Sequence, residues 1–128
     1  MKLNIAILGS TGSIGKSTIK SIRILNNRFN IKLLSTNNNI SLLLKQAIKY
    51  KVKNVIILNR TKFEIYKKKF QKHKIKVYFD FKNLHKIFNK RIYYTINAIS
   101  GISGLDPTLS IIKHTKNLAI ANKESIIC

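Results

Sequence analysis

Short apolar runs rich in isoleucine and valine alternate along this chain with longer segments of helical spacing, and few folds accept that alternation. Six runs read as strands: "LNIAIL" (Leu3 to Leu8), "IKLLST" (Ile31 to Thr36), "NVIIL" (Asn54 to Leu58), "KVYF" (Lys76 to Phe79), "YYTINA" (Tyr93 to Ala98) and "NLAIA" (Asn117 to Ala121). Between the first two, Ile14, Thr18, Ile19, Ile22 and Leu25 recur every three to four residues, which predicts a helix over Gly15 to Asn26 with one buried face. Further helices are expected from Ser41 to Tyr50, from Lys62 to Lys72 with Phe63, Tyr66 and Phe70 as core, and around Asn83 to Phe88. In "GLDPTLSIIK", Asp106 is expected to cap a helix, Pro107 to occupy its first turn, and Leu109 and Ile112 to face inward. Strand, helix, strand in repetition implies right-handed crossovers. The fold expected is α/β: a Rossmann-like open parallel sheet with helices on both faces, in a single domain.

The first strand runs into "GSTGSIG", where Gly9, Gly12 and Gly15 recur every third residue. On this scaffold the motif is the turn between the first strand and the first helix, where unpaired helix amides and the positive end of the helix dipole make an anion site. Gly9 would permit the tight turn, Gly12 a close approach of pyrophosphate to the backbone, and Gly15 close packing of the helix. Ser10, Thr11 and Ser13 would add hydroxyl donors. A mononucleotide phosphate loop is excluded: "GKS" occurs at Gly15 to Ser17, but the glycine such a loop needs at position 10 is Ser10.

The end of the second strand selects among dinucleotides, because an acid there would hold the ribose hydroxyls of NAD. The segment "STNNNI", Ser35 to Ile40, holds no acid, which favours NADP, and it holds no lysine or arginine either. Asn37, Asn38 and Asn39 are equally readable as a turn whose asparagines tolerate left-handed backbone angles. Near the end of the chain, "AIANKESIIC" follows the sixth strand at the carboxyl edge of the sheet, where ligands of open parallel folds bind. There Asn122, Lys123, Glu124 and Ser125 set an amide, a cation, an acid and a hydroxyl side by side, and Lys123 is suited to a substrate phosphate or oxyanion.

Charge is the competing signal. A formal net charge of +21 on 128 residues suits a binder of nucleic acid or anionic membrane. However, 21 of the 25 basic residues are lysines scattered along the chain, accompanied by many isoleucines and asparagines, as A/T-rich codons would produce. Only "YKKKF", Tyr66 to Phe70, is compact, and no aromatic-interleaved RNA signature, zinc finger or basic zipper is present. Four acids, Glu64, Asp80, Asp106 and Glu124, leave most of the positive charge unpaired, so self-repulsion is expected to weaken the fold at low salt. A non-catalytic NADP-sensing or basic nucleic-acid-binding module is the alternative reading. The single cysteine, Cys128, offers no disulfide or metal pair, and His73, His85 and His114 read as surface or packing residues. No window approaches the roughly 18 apolar residues of a membrane span. The first strand starting at Leu3 leaves no room for a leader, so a cytoplasmic location is expected.

Three ordered stretches, "ILGSTGSIGKST", "ISGISGLDPTLSIIK" and "IANKESIIC", resemble the amino-terminal domain of the 1-deoxy-D-xylulose 5-phosphate reductoisomerase family. The resemblance runs from the first strand to the last residue. It implies that Thr11, Gly12, Ser13 and Ile14 contact NADPH, that Asn122 and Glu124 belong to the same site, and that Lys123 contacts the sugar-phosphate substrate. The family's Gly-Lys-Asn at the end of the second strand stands here as Asn37, Asn38 and Asn39, so only the last residue is retained. It further implies that residues 1–128 are the NADPH-binding domain and that a metal-binding catalytic domain, with its magnesium or manganese, belongs to polypeptide beyond Cys128. A homodimer of the complete enzyme, or a complementary catalytic chain, goes with that expectation. "GSTGSIG" is also similar to the turn of semialdehyde dehydrogenases, which need an internal cysteine, and of extended short-chain dehydrogenases, whose Tyr-x-x-x-Lys spacing is met only by Tyr78 and Lys82 at a strand end.

Overall fold

A computed structural model describes residues 2–24, 28–99 and 105–121. Its elements follow the expected alternation: β1 (Leu3–Leu8), α1 (Ser13–Ile24), β2 (Phe29–Thr36), α2 (Ile40–Lys49), β3 (Asn54–Ile57), α3 (Arg60–Gln71), β4 (Lys76–Tyr78), α4 (Leu84–Ile87), β5 (Ile92–Asn97), α5 (Leu105–Ile111) and β6 (Thr115–Ile120). The strands form one sheet in the order β4-β3-β2-β1-β5-β6, and every pairing is parallel. The strand order therefore reverses beside β1. That reversal, between β1 and β5, is where a crevice opens at the carboxyl edge of such sheets.

Two apolar layers show that both faces of the sheet are covered. Ile5, Ile7, Leu34, Val55 and Ile57 pack with Ile19 and Ile22 of α1, Leu43 and Ala47 of α2, and Phe63 and Phe70 of α3. The alternate residues Ala6, Leu8, Leu33 and Ile56 pack on the other side with Leu84, Phe88 and Ile111. The pairing of β1 with β2 shifts register between Ile5 and Ala6: Ile5 opposes Ile31 while Ala6 opposes Leu33. Lys32 is thus the extra residue of a bulge, which explains how Ile31 and Leu33, two apart in sequence, serve opposite layers.

α2 and α3 end alike. The Lys51 backbone has φ of 56° and the Lys74 backbone 60°, both in the left-handed region. Val52 N–H then donates to the Ala47 carbonyl, and Ile75 N–H to the Phe70 carbonyl. These bonds close the helix ends, and each following apolar residue is buried as it leads into the next strand.

Some inward-facing residues differ from expectation. In α5 the buried positions are Pro107, Thr108 and Ile111, whereas Leu109 and Ile112 are exposed. The polar Thr108 takes the inner position because its hydroxyl accepts a hydrogen bond from the buried Asn97 amide at the end of β5. Asp106 lies within the first turn of α5, which begins at Leu105, so it is a favourable charge at the helix start and not the cap. Tyr66 is exposed, unlike Phe63 and Phe70, and Ile14 is exposed because Gly15 takes the inward position of that turn. Leu25 and Asn26 lie outside the described residues.

Two measurements follow from these features. Lys51→Gly and Lys74→Gly are each expected to raise stability by about 0.5–1 kcal/mol in urea unfolding, since glycine relieves the left-handed strain of roughly 1–2 kcal/mol at some entropic cost. The His114 ring packs 6.1 Å from that of Phe88, and burial, then His85 and Lys113, hold its pKa below the ordinary 6.5. The unfolded chain therefore takes up this proton first, so stability is full above pH 6.5 and falls as pH drops through that value toward the lowered one. His114→Gln should flatten that part of the decline in Tm measured across acid pH.

Candidate functional site

The turn after β1 is held in place by the end of β2. Gly9 N–H donates to Ser35 Oγ at 2.8 Å, and Ser10 N–H to the Ser35 carbonyl at 2.9 Å. Ser10 is fully buried. Its Oγ lies 2.8 Å from Gln46 Oε1, and its carbonyl accepts from Gln46 Nε2 at 3.0 Å. The expectation that Ser10 offers its hydroxyl to a phosphate is corrected on that ground, because Ser10 braces the turn against α2. Gln46 escaped the sequence reading. Its signal was a lone polar residue on the buried stripe of α2 beside Leu43 and Ala47.

The three glycines do three different things. Gly9 has φ of +73°, and an added Cβ would lie 2.9 Å from the Ile99 nitrogen. A Cβ on Gly15 would lie 2.2 Å from the Gly9 carbonyl oxygen and 2.6 Å from Ser10 Cα, so α1 crosses the turn at its own first coil. A Cβ on Gly12 meets nothing nearer than the Gly9 oxygen at 3.7 Å. Its missing side chain therefore serves no internal packing and leaves the surface open. Gly12 also supplies the first carbonyl of α1, accepting from Lys16 N–H at 2.8 Å, and α1 carries no acid in its first turn. The helix amides at this end are thus suited to an external anion.

A cavity of about 330 Å³ lies along this edge, bounded by Gly9, Thr11 and Gly12 on one side, Asn37, Asn38 and Asn39 on another, and Ala98 and Ile99 at the end of β5. The structure thereby brings together Thr11, Gly12 and the three asparagines. Ser13 and Ile14 are the first residues of α1, both exposed. The Thr11 and Thr36 hydroxyls hydrogen-bond each other across the two turns. Asn39 caps α2, accepting from Leu42 N–H through Oδ1, and none of the three asparagines has a left-handed backbone. Asn38 Oδ1 accepts from Asn59 Nδ2, and Asn59 caps α3, so consecutive turns along the edge are tied together. Asn122, Lys123, Glu124 and Ser125 lie outside the described residues, as does Cys128. Among the described residues no group of three or more His, Cys, Asp or Glu side chains could hold a metal ion, and no helix is long and apolar enough to cross a membrane.

Comparison with known proteins agrees with this geometry. The sequence pattern of 1-deoxy-D-xylulose 5-phosphate reductoisomerase matches residues 5–128. The chain belongs to that family. It is 52% identical over 126 residues to the reductoisomerase of Pelagibacter ubique, covering 97% of this chain and 32% of that protein. It is 38% identical over 128 residues to the Porphyromonas gingivalis enzyme, covering 99% of this chain and 33% of that one. The chain thus spans about a third of the length of the relatives it matches. Among solved structures, the Zymomonas mobilis reductoisomerase in complex with NADPH aligns with a TM-score of 0.85 at 29% identity, over 98% of this chain and 33% of that one. A reductoisomerase in complex with NADPH, fosmidomycin and magnesium aligns with a TM-score of 0.86 at 28% identity, over 97% of this chain and 31% of that one.

Alanine at the three glycines separates their roles. Gly15→Ala should cost about 3 kcal/mol, Gly9→Ala about 2 kcal/mol, and Gly12→Ala less than about 1 kcal/mol. Urea unfolding of the three variants reads this order, and equal costs would remove backbone crowding as its cause.

Proposed function

We propose that residues 1–128 are the amino-terminal, NADPH-binding part of a 1-deoxy-D-xylulose 5-phosphate reductoisomerase. That enzyme rearranges and reduces 1-deoxy-D-xylulose 5-phosphate to 2-C-methyl-D-erythritol 4-phosphate in non-mevalonate isoprenoid synthesis. The observation that carries the reading is the groove at the strand-order reversal: Gly9, Thr11 and Gly12, just before α1, line one side, and the other side, Ser35 to Asn39, is free of acid. NADPH, when bound, supplies a hydride to the substrate.

The chain's own part is to bind and orient. Gly12 leaves room for the pyrophosphate, the first amides of α1 and the Ser13 hydroxyl receive its charge, and Thr11, its hydroxyl tied to that of Thr36, borders it. Asn37, Asn38 and Asn39 border the ribose, and Ile14 sits at the start of α1 beside the nucleotide. Asn122 and Glu124 complete the cofactor site, and Lys123 receives the sugar phosphate. The metal ion, magnesium or manganese, belongs to the remaining two thirds of a protein of the relatives' length. A homodimer, a complementary catalytic segment and a cytoplasmic location belong to the same reading of the whole protein.

Calorimetric titration of the chain at moderate salt tests this. Micromolar NADPH binding that is lost in Gly12→Asp is expected, with no metal-dependent product formed by the chain alone. A folded chain that binds neither NADPH nor NADH would overturn the reading. Binding to nucleic acid that collapses steeply as salt rises would favour the alternative module.

A further inference from the structure

A NADP site needs a cation for the 2′-phosphate, and that phosphate lies beyond the end of β2. No lysine or arginine stands between Ser35 and Ile40. The structure brings one there from the next strand-helix unit. β3 pairs with β2 on the side away from β1, so the start of α3 borders the Asn37–Asn39 turn. The backbones are joined as well, since Asn59 N–H donates to the Asn37 carbonyl at 3.2 Å. Lys62 Nζ donates to the Asn38 carbonyl at 3.0 Å, which sets an ammonium at the rim of the groove with two further N–H donors.

A second cavity of about 330 Å³ opens there, lined by Asn38, Asn39, Ser41, Lys62, Tyr66 and Lys69 among others. It shares Asn38 and Asn39 with the first cavity, so the two adjoin at the asparagine turn. Lys62, Tyr66 and Lys69 recur at helical spacing on one face of α3. No acid lines either cavity. The acid of α3, Glu64, is engaged by Lys67 at 3.1 Å and Arg60 at 3.7 Å, and the Arg60 guanidinium lies 3.8 Å from the centre of the Phe79 ring. Arg60 is thus occupied elsewhere, while Lys62 and Lys69 line the second cavity.

We propose that Lys62, supported by Lys69, is the specificity-determining residue that recognises the 2′-phosphate of NADPH, delivered by α3 to a β2 turn that has no cation of its own. The inference rests on the cofactor reading above.

The test titrates the full chain and its Lys62→Ala, Lys62→Arg and Lys69→Ala variants with NADPH and with NADH, folding being checked by circular dichroism. Lys62→Ala should weaken NADPH roughly tenfold and leave NADH within about twofold, as expected for loss of one charge-assisted contact to phosphate. Lys62→Arg should retain most of the affinity, and Lys69→Ala should lose about two- to threefold for NADPH alone. Adenosine 2′,5′-bisphosphate against AMP should repeat the Lys62→Ala contrast without the nicotinamide half. Equal losses for NADPH and NADH in Lys62→Ala would assign Lys62 to holding the Asn38 turn and overturn the proposal. Unchanged NADPH affinity in that variant would overturn it while leaving the cofactor reading intact. Failure of the unaltered chain to bind either nucleotide would overturn both.

Discussion

α1 can start where it does only because nothing projects from Gly15. An added Cβ there would overlap the Gly9 carbonyl oxygen at 2.2 Å, so the helix axis, the β1 turn and the end of β2 are fixed relative to one another by one close backbone crossing. The consequence travels outward. Gly9 and Ser10 can then reach Ser35, Ser10 can reach Gln46, and α2 is drawn onto the same apolar layer as α1. The open side of the turn, at Gly12, is left as the one glycine of the three with no internal neighbour to accommodate. Rigidity and vacancy are thus produced by the same seven residues, and a preorganised anion site needs both.

The rest of the rim is built from asparagine. Asn39 and Asn59 cap successive helices, and Asn38 is bonded to Asn59 between them. In a chain with 25 basic and four acidic residues, neutral caps on α2 and α3 keep the asparagine rim free of negative charge, while Asp80 and Asp106 lie further along the edge. The dipoles of α2 and α3 are thus answered by side-chain carbonyls, which leaves the local field at this rim positive. The two ion pairs seen among the described residues both converge on Glu64, well along α3.

Much of this was legible in the sequence because strand spacing, glycine spacing and the missing acid after β2 are local signals. The six strands and the turn fell within a few residues of where alternation placed them. What was not legible depended on partners distant in sequence. Thr108 outcompetes Leu109 for the interior because Asn97 needs an acceptor eleven residues away, and no apolar pattern encodes that need. Ser10 is drawn from the groove by Gln46, 36 residues on. Lys62 reaches the Asn38 turn only because β3 adjoins β2, which is a property of the sheet and not of the segment. The asparagine run reads from sequence as a turn tolerant of left-handed angles; in the structure none of the three is left-handed, Asn39 caps α2 and Asn38 is tied to Asn59, since Asn serves both uses and only geometry separates them.

The bulge at Lys32 divides β2 into two lengths with opposite phase. Upstream of it, Ile31 keeps step with Ile5; downstream, Leu33 and Leu34 keep step with Ala6 and Ile7. β2 is in effect a spliced rod, and the splice sits between the half that pairs with the start of β1 and the half that ends in Ser35 and Thr36. One strand thus feeds both apolar layers, Ile31 and Leu34 on one side and Leu33 on the other, a change of phase within a single strand that strict alternation could not provide.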